Sequence, residues 1–173
     1  MNLGIRRNQV AFLSSLGMLA AGQALTADLP RRKPGLWEMT LSTLNSKRPP
    51  RSGRYCIDAA TETLLNGFAG GMTEKSCSKD AVRAEGNHFV VDSVCTVGKS
   101  QATGHAVVTA NGDTSIHMEI HTHFDPPMFG PADVDTIQDS KWLGACPADM
   151  LPGDMITAAG VKVNLKDVAK SAP

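Results

Sequence analysis

The sequence predicts a mainly β protein: a curved antiparallel sheet or small barrel of about 6–8 strands with one short helix, stabilised by disulfides. Three observations predict it. Short segments alternate apolar and polar residues with a period of two, as half-buried strands do. Turn signals separate them, at Glu85-Gly86-Asn87 and Asn111-Gly112-Asp113. Four cysteines, Cys56, Cys77, Cys95 and Cys146, all follow an N-terminal export signal. An even number in an oxidising compartment favours two disulfides.

The export signal has three parts. Arg6 and Arg7 give a positive start, Val10 to Ala21 is mostly apolar, and small residues follow at Gly22-Gln23-Ala24 and Ala27. The apolar run is about 12 residues, well short of the ~20 that span a bilayer as a helix. Cleavage after Ala24 is preferred because Gly22 is small, whereas cleavage after Ala27 would place bulky Leu25 two residues before the cut. No cysteine near the junction marks a lipoprotein, and no second apolar stretch is long enough for a transmembrane span. The expected layout is a signal peptide over 1–24, an N-terminal linker over 25–32, a β-rich domain over 33–146 and a C-terminal extension over 147–173. The expected location is periplasmic or secreted. A mature chain of about 150 residues can bury a core without a metal.

Each element follows from its residues. In Leu36 to Ser42, Trp37, Met39 and Leu41 fall on one face and Glu38, Thr40 and Ser42 on the other, giving the first strand. Asn45 to Arg54, with Pro49-Pro50, reads as a loop, and Tyr55 to Ile57 as a short strand. Asp58 can cap a helix over Ala59 to Leu65, stopped at Asn66-Gly67. Gly67 to Lys79 reads as a connection around Cys77. Ala81 to Ala84 and His88 to Thr96 form one hairpin; Thr103 to Ala110 and Thr114 to Phe124 form another. Asp125 to Asp133, with Pro126, Pro127 and Pro131, must leave the ladder. Thr136 to Leu143 returns as a core strand. Beyond Pro147 the pattern fades, and Ile156 to Val168 reads as a loosely attached strand or helix.

Charge and cysteine placement narrow the function. The mature chain is near neutral, which does not suggest a nucleic-acid partner. Basic residues cluster at Arg31, Arg32, Lys33, Lys47, Arg48, Arg51 and Arg54, opposed in that stretch by Glu38 alone, while the chain after Arg54 is acidic in balance. Such a segment can touch an anionic envelope surface or simply face its own acidic domain. The cysteines contain no Cys-x-x-Cys pair, against redox-motif and zinc-ribbon readings. Three disulfide connectivities are open. Cys56–Cys77 with Cys95–Cys146 closes two separate loops and is the pairing expected.

These spaced residues resemble a known family. Lys33-Pro34-Gly35-Leu36-Trp37-Glu38 is similar to the opening of the bacterial exported family called domain of unknown function 3617. So are Cys56-Ile57-Asp58 with its short helix and Cys77, the strand ending at Cys95, the Gly104-to-Met118 hairpin, and Trp142-Leu143-Gly144-Ala145-Cys146. The resemblance covers Lys33 to Cys146. It implies a secreted or periplasmic single domain and carries no assigned activity or site. The hairpin departs from the family's Thr-, Gly- and Met-rich pattern in its histidines, and the tail after Cys146 is long.

Those histidines are the one constellation with chemistry. His117, Glu119, His121 and His123 share a strand face opposite Ile116, Met118 and Ile120. Imidazole and carboxylate together can bind zinc or copper. Same-face neighbours on one strand lie about 7 Å apart, so a metal also needs the next strand. A two-residue Asn111-Gly112 turn would pair Ala106 with His117 and mix the faces. A three-residue loop ending at Gly112 pairs Ala106 with Ile116 and His105 with His117, and is preferred. In a metal site His117 and His121 would be ligands, completed by His105, Glu119 or His123.

Catalytic templates fit poorly. His117-Met118-Glu119 lacks the Pro-Cys-x-x-Cys partner of zinc deaminases, and His121-Thr122-His123 lacks the Glu of a cupin strand. No His-Glu-x-x-His helix, Gly-x-Ser-x-Gly elbow or phosphate-cradling loop occurs. The leading expectation is therefore an exported, non-enzymatic binding or envelope module without a cofactor. A metal-binding protein using the His-rich face is second, and an uncharacterised enzyme third.

Overall fold

The computed structural model describes residues 27–67, 77–128 and 130–171. The export signal and most of the expected connection before Cys77 lie outside the described residues. Nine strands and two short helices follow one another in the order β1 (Gly35–Thr43), β2 (Arg51–Ile57), α1 (Ala59–Gly67), β3 (Cys77–Glu85), β4 (His88–Val97), β5 (Ser100–Asn111), β6 (Ser115–Asp125), β7 (Asp133–Gly144), β8 (Asp154–Ile156), β9 (Lys162–Asn164) and α2 (Leu165–Ser171). All strands join one open antiparallel sheet in the order β3-β4-β5-β6-β7-β1-β2-β8-β9. The mainly β class is as expected. The strand count is higher because the residues after Pro147 add β8 and β9.

The first strand of the chain lies inside the sheet, between β2 and β7. Its alternation places Trp37 in the core, where it is fully buried with Tyr55 and Ile57; Met39, Leu65, Trp142 and Met155 pack around them. The Trp37 and Tyr55 rings stack with centroids 6.3 Å apart. Trp37 Nε1–H donates to the Lys33 carbonyl at 2.9 Å, and Trp142 Nε1–H donates to the Pro34 carbonyl at 3.1 Å. A Cβ at Gly35 would collide with the Gly144 carbonyl and lie 2.6 Å from Trp142 Nε1, and its φ is +135°. Glycine is required there on both counts. The Pro34-Gly35-Leu36-Trp37 motif is thus a packing device: it lets two tryptophans close on one backbone turn.

β2 starts at Arg51, earlier than the expected Tyr55, because polar cross-strand pairs extend it. Arg54 pairs with Glu38 at 3.2 Å, and the Thr40 and Ser52 hydroxyls hydrogen-bond at 2.9 Å. Asp58 caps α1 as expected: Thr61 N–H donates to Asp58 Oδ1 and Asp58 N–H donates to Thr61 Oγ1, each at 2.9 Å. The Thr61 N–H and then the Thr61 hydroxyl, both donating to Asp58 Oδ1, hold the Asp58 carboxyl below its ordinary value.

The β5–β6 hairpin corrects the expected register. Its three-residue loop is Gly112 to Thr114, so Ala106 pairs with Ile120 and His105 with His121 rather than His117. The faces stay uniform, because the shift moves each pairing by an even number of residues. Contacts outside the hairpin hold the turn there: Lys33 N–H donates to the Asp113 carbonyl at 2.8 Å and Trp142 N–H to the Thr114 carbonyl at 2.9 Å. Gly112 supplies the left-handed φ of +63° that the turn needs.

The disulfides are Cys56–Cys146 and Cys77–Cys95, which replaces the expected pairing. Sheet order is the reason. Leu36 of β1 faces Cys56 on one side and Gly144 on the other, so the ends of β2 and β7 converge. Cys77 and Cys95 are opposed in the β3–β4 ladder. The Cys56–Cys146 bridge spans a sequence separation of 90 and the Cys77–Cys95 bridge one of 18. Loop entropy credits them with about 5 and about 3 kcal/mol respectively.

The segment after Cys146 is held by buried Met150 and Leu165, by Met155 against the core, and by a polar network. Asp154, 6% exposed, accepts from Leu151 N–H, Asn164 Nδ2 and Lys162 Nζ, each at 2.8 Å. Gly153 N–H donates to the Cys56 carbonyl at 2.7 Å, and Leu165 N–H donates to the Gly153 carbonyl at 2.8 Å. Lys162 first, then Asn164 and the Leu151 amide, lower the Asp154 carboxyl from 3.8 to about 2.

Two outcomes are expected. Non-reduced peptide mapping should find Cys56 linked to Cys146 and Cys77 to Cys95, and Cys56→Ser/Cys146→Ser should cost about 2–5 kcal/mol in urea unfolding. Asp154→Asn should cost about 1–3 kcal/mol at neutral pH. Because the folded carboxyl titrates below the unfolded one, that loss should be full above about pH 4 and should shrink as pH falls toward 2. An unchanged urea midpoint at pH 7 would count against the Asp154 network.

Candidate functional site

On β6, Ile116, Met118 and Ile120 point with the inner face, so His117, Glu119, His121 and His123 occupy the outer one. The neighbouring strands answer them in register. β7 sets Asp139 opposite His117, Asp135 opposite His121 and Asp133 opposite His123. β4 sets Asp92 opposite His105 of β5. Each imidazole Nδ1 then contacts the facing carboxylate: 2.7 Å to Asp92, Asp135 and Asp139, and 2.8 Å to Asp133. Two longer approaches add to this, His117 Nε2 to Glu119 and His121 Nε2 to Asp133, both 3.5 Å.

One level of the sheet is distinctive. His105 is directly opposed to His121, so Asp92, His105, His121 and Asp135 form a continuous row across β4, β5, β6 and β7. His117 instead faces Thr109 on β5, and His123 faces Thr103. The structure therefore brings His105 to His121. It leaves His117 four residues away along β6, about 13 Å by strand rise. Among the described residues no group of three or more His, Cys, Asp or Glu side chains is gathered closely enough to hold a metal ion.

Shallow open grooves flank the opposed imidazoles. One, of about 220 Å³, is lined by Leu44, Val107, Glu119 and Ile137 together with His105, His121 and Asp135. The other, of about 350 Å³, is lined by Asp92, Ser93, Thr103 and Gly104 with His105, His121 and His123.

The electrostatics follow from the pairing. His105 and then Arg83 hold the Asp92 carboxyl below its ordinary value. Asp139, and then Glu119, raise His117 above 6.5 against the opposing effect of burial. The sequence reading missed the aspartates, although a signal was present. His117, His121 and His123 are spaced by four and two, and Asp133, Asp135 and Asp139 by two and four. An antiparallel hairpin superimposes mirrored spacings of this kind.

The basic segment has divided roles. Arg32 is tied to Glu62, Arg54 to Glu38, and Lys33 lies 4.1 Å above the Trp142 ring centroid. Arg31, Lys47, Arg48 and Arg51 are exposed and form no ion pair among the described residues.

Fold and site together define an antiparallel β domain, closed by two disulfides, that carries an exposed histidine–aspartate face. Residues 32–146 match the family model described as protein of unknown function (DUF3617), and the chain belongs to that family. No curated protein and no solved structure matches the chain significantly. No helix among the described residues is long and apolar enough to cross a membrane.

The raised His117 gives a pH signature. Its pair with Asp139 should contribute fully below about pH 6.5 and fade as pH rises through the raised folded value. Both partners are more than a third exposed, so solvent screening limits the pair to about 0.2–1 kcal/mol. A His117→Gln/Asp139→Asn double-mutant cycle should return a coupling energy at pH 6 that is smaller at pH 8.5. Equal coupling at both would show that the pair is not titrating.

Proposed function

We propose that this protein is an exported, non-catalytic binding module, periplasmic or secreted, and that it binds with the outer face of β4 to β7. The observation that carries the reading is the in-register pairing of four histidines with four aspartates on that face. Their exposures run from 24% for Asp92 to 63% for Asp139. Such groups can hold a ligand at a surface; a reacting group is usually desolvated. Export is supported by the leader-like N-terminus and by the pairing of all four cysteines.

A second reading concerns the β1–β2 loop. Lys47, Arg48 and Arg51 are exposed and follow Leu44, which is 47% exposed, within seven residues of sequence, and this combination suits contact with an anionic envelope surface. Vesicles containing anionic lipid should co-sediment the protein at low salt and release it at high salt. Replacing the three cations with Glu should abolish that binding.

The main reading is tested in two steps. Expressed with its own leader in a Gram-negative host, the protein should be recovered from the periplasm, starting at Leu25 or Asp28 and without free thiols. The purified protein is then titrated with divalent metals, lipopolysaccharide, peptidoglycan sacculi and anionic vesicles, beside Asp133→Asn/Asp135→Asn/Asp139→Asn. At least one probe should bind the wild type about ten-fold more tightly. Cytoplasmic retention of the full chain, or equal binding of every probe by both proteins, would overturn the reading.

A further inference from the structure

We propose that His105 and His121 form a two-imidazole site for a borderline divalent transition metal, copper(II) or zinc, on the outer face of the sheet. The inference rests on the reading of that face as the binding surface and names its ligand class. Three observations lead to it.

The first is register. His105 and His121 are the pair of imidazoles that the ladder sets directly opposite each other. Opposed residues on one face of an antiparallel pair have Cβ atoms about 4.5–5.5 Å apart, close enough for two imidazoles to converge on one ion at about 2.0–2.1 Å from each nitrogen. Histidines two apart on one strand are held about 7 Å apart by the backbone. His117 and His123 face threonines on β5 and have no opposed imidazole there.

The second is the tautomer that the carboxylates impose. Both rings turn Nδ1 toward an aspartate, His105 toward Asp92 and His121 toward Asp135, each at 2.7 Å. In the neutral ring Nδ1–H then donates to the carboxylate, and Nε2 keeps its lone pair. Carboxylate–histidine pairs of this kind orient and strengthen metal-ligating imidazoles. Here the outer pair is in place for both rings at once, from the strands on either side.

The third is the surroundings. Asp133 Oδ1, which contacts His123 Nδ1 at 2.8 Å, lies 3.5 Å from His121 Nε2 and adds an anionic oxygen beside the pair. Asp92, Asp135 and Glu119 add negative charge around the pair, with Arg83 as the nearby cation on Asp92. The grooves on both sides are open, so water or an exogenous ligand would fill the remaining positions. Two imidazoles with oxygen ligands suit copper(II) best among the divalent first-row ions.

The test uses the untagged, oxidised, mature protein. Copper(II) and zinc are titrated by calorimetry, and the copper form is examined by electron paramagnetic resonance. The expected result is one ion per chain and nitrogen couplings from two imidazoles. His105→Ala and His121→Ala should each weaken binding about ten-fold or more, and Asp92→Asn/Asp135→Asn about ten-fold. His88→Ala, four residues from Asp92 along β4 and about 13 Å away by strand rise, should change it less than about two-fold. Thermal unfolding of each variant establishes that it is folded. No uptake by the wild type, or uptake insensitive to His105→Ala and His121→Ala, would overturn the site. If the metal fails while another probe still distinguishes the wild type from the β7 aspartate variant, the metal site falls and the binding face stands. If no probe distinguishes them, both fall.

Discussion

The architecture depends on the burial of Trp37 in the middle of the sheet. A tryptophan near the start of the domain, fully enclosed between β2 and β7, requires strands from distant parts of the sequence to meet around it. Gly35 allows the Gly144 backbone and the Trp142 ring to approach, and the Lys33 and Pro34 carbonyls satisfy both indole N–H groups. Buried indoles need such partners, since an unmet donor would offset much of the apolar gain. The Cys56–Cys146 bridge then locks the ends that Trp37 has drawn together.

With that junction fixed, the rest of the sheet is a run of sequential hairpins. From β3 to β7 every strand pairs with the next, so this part of the ladder is built from neighbours in sequence. The buried apolar set on these strands is lean: Val90, Cys95, Ala102, Ala106, Val108 and Ile116. A lean core gives more importance to outer-face interactions, and the histidine–aspartate pairs tie β4 to β5 and β6 to β7. The His105–His121 opposition connects the two pairs of strands. It is also the point where two like groups meet instead of two opposite ones.

The sequence carried much of this. Strand alternation placed Trp37, Met39 and Leu41 on one side, Asp58 at the head of α1, and His117, Glu119, His121 and His123 on a common face. These follow from local rules: a period of two, a capping side chain, a turn residue with left-handed φ. Membership of the family was legible in residues fixed by the Trp37 junction, because those residues leave the chain little choice. The aspartate ladder was legible in principle through the mirrored spacing on β6 and β7.

What the tertiary structure alone decided were pairings between distant segments. The cysteine spacing left three connectivities open, and the position of β1 between β2 and β7 selected among them. Face uniformity admitted more than one β5–β6 register, and contacts from Lys33 and Trp142 to the turn chose the one that opposes His105 to His121. The end of the chain showed no apolar period because its inward-packed residues, Met150, Met155 and Leu165, are irregularly spaced, with Asp154, Asn164 and Lys162 making polar contacts between them. Local sequence determines which face a side chain occupies; which partner it meets across a strand or a bridge depends on segments tens of residues away.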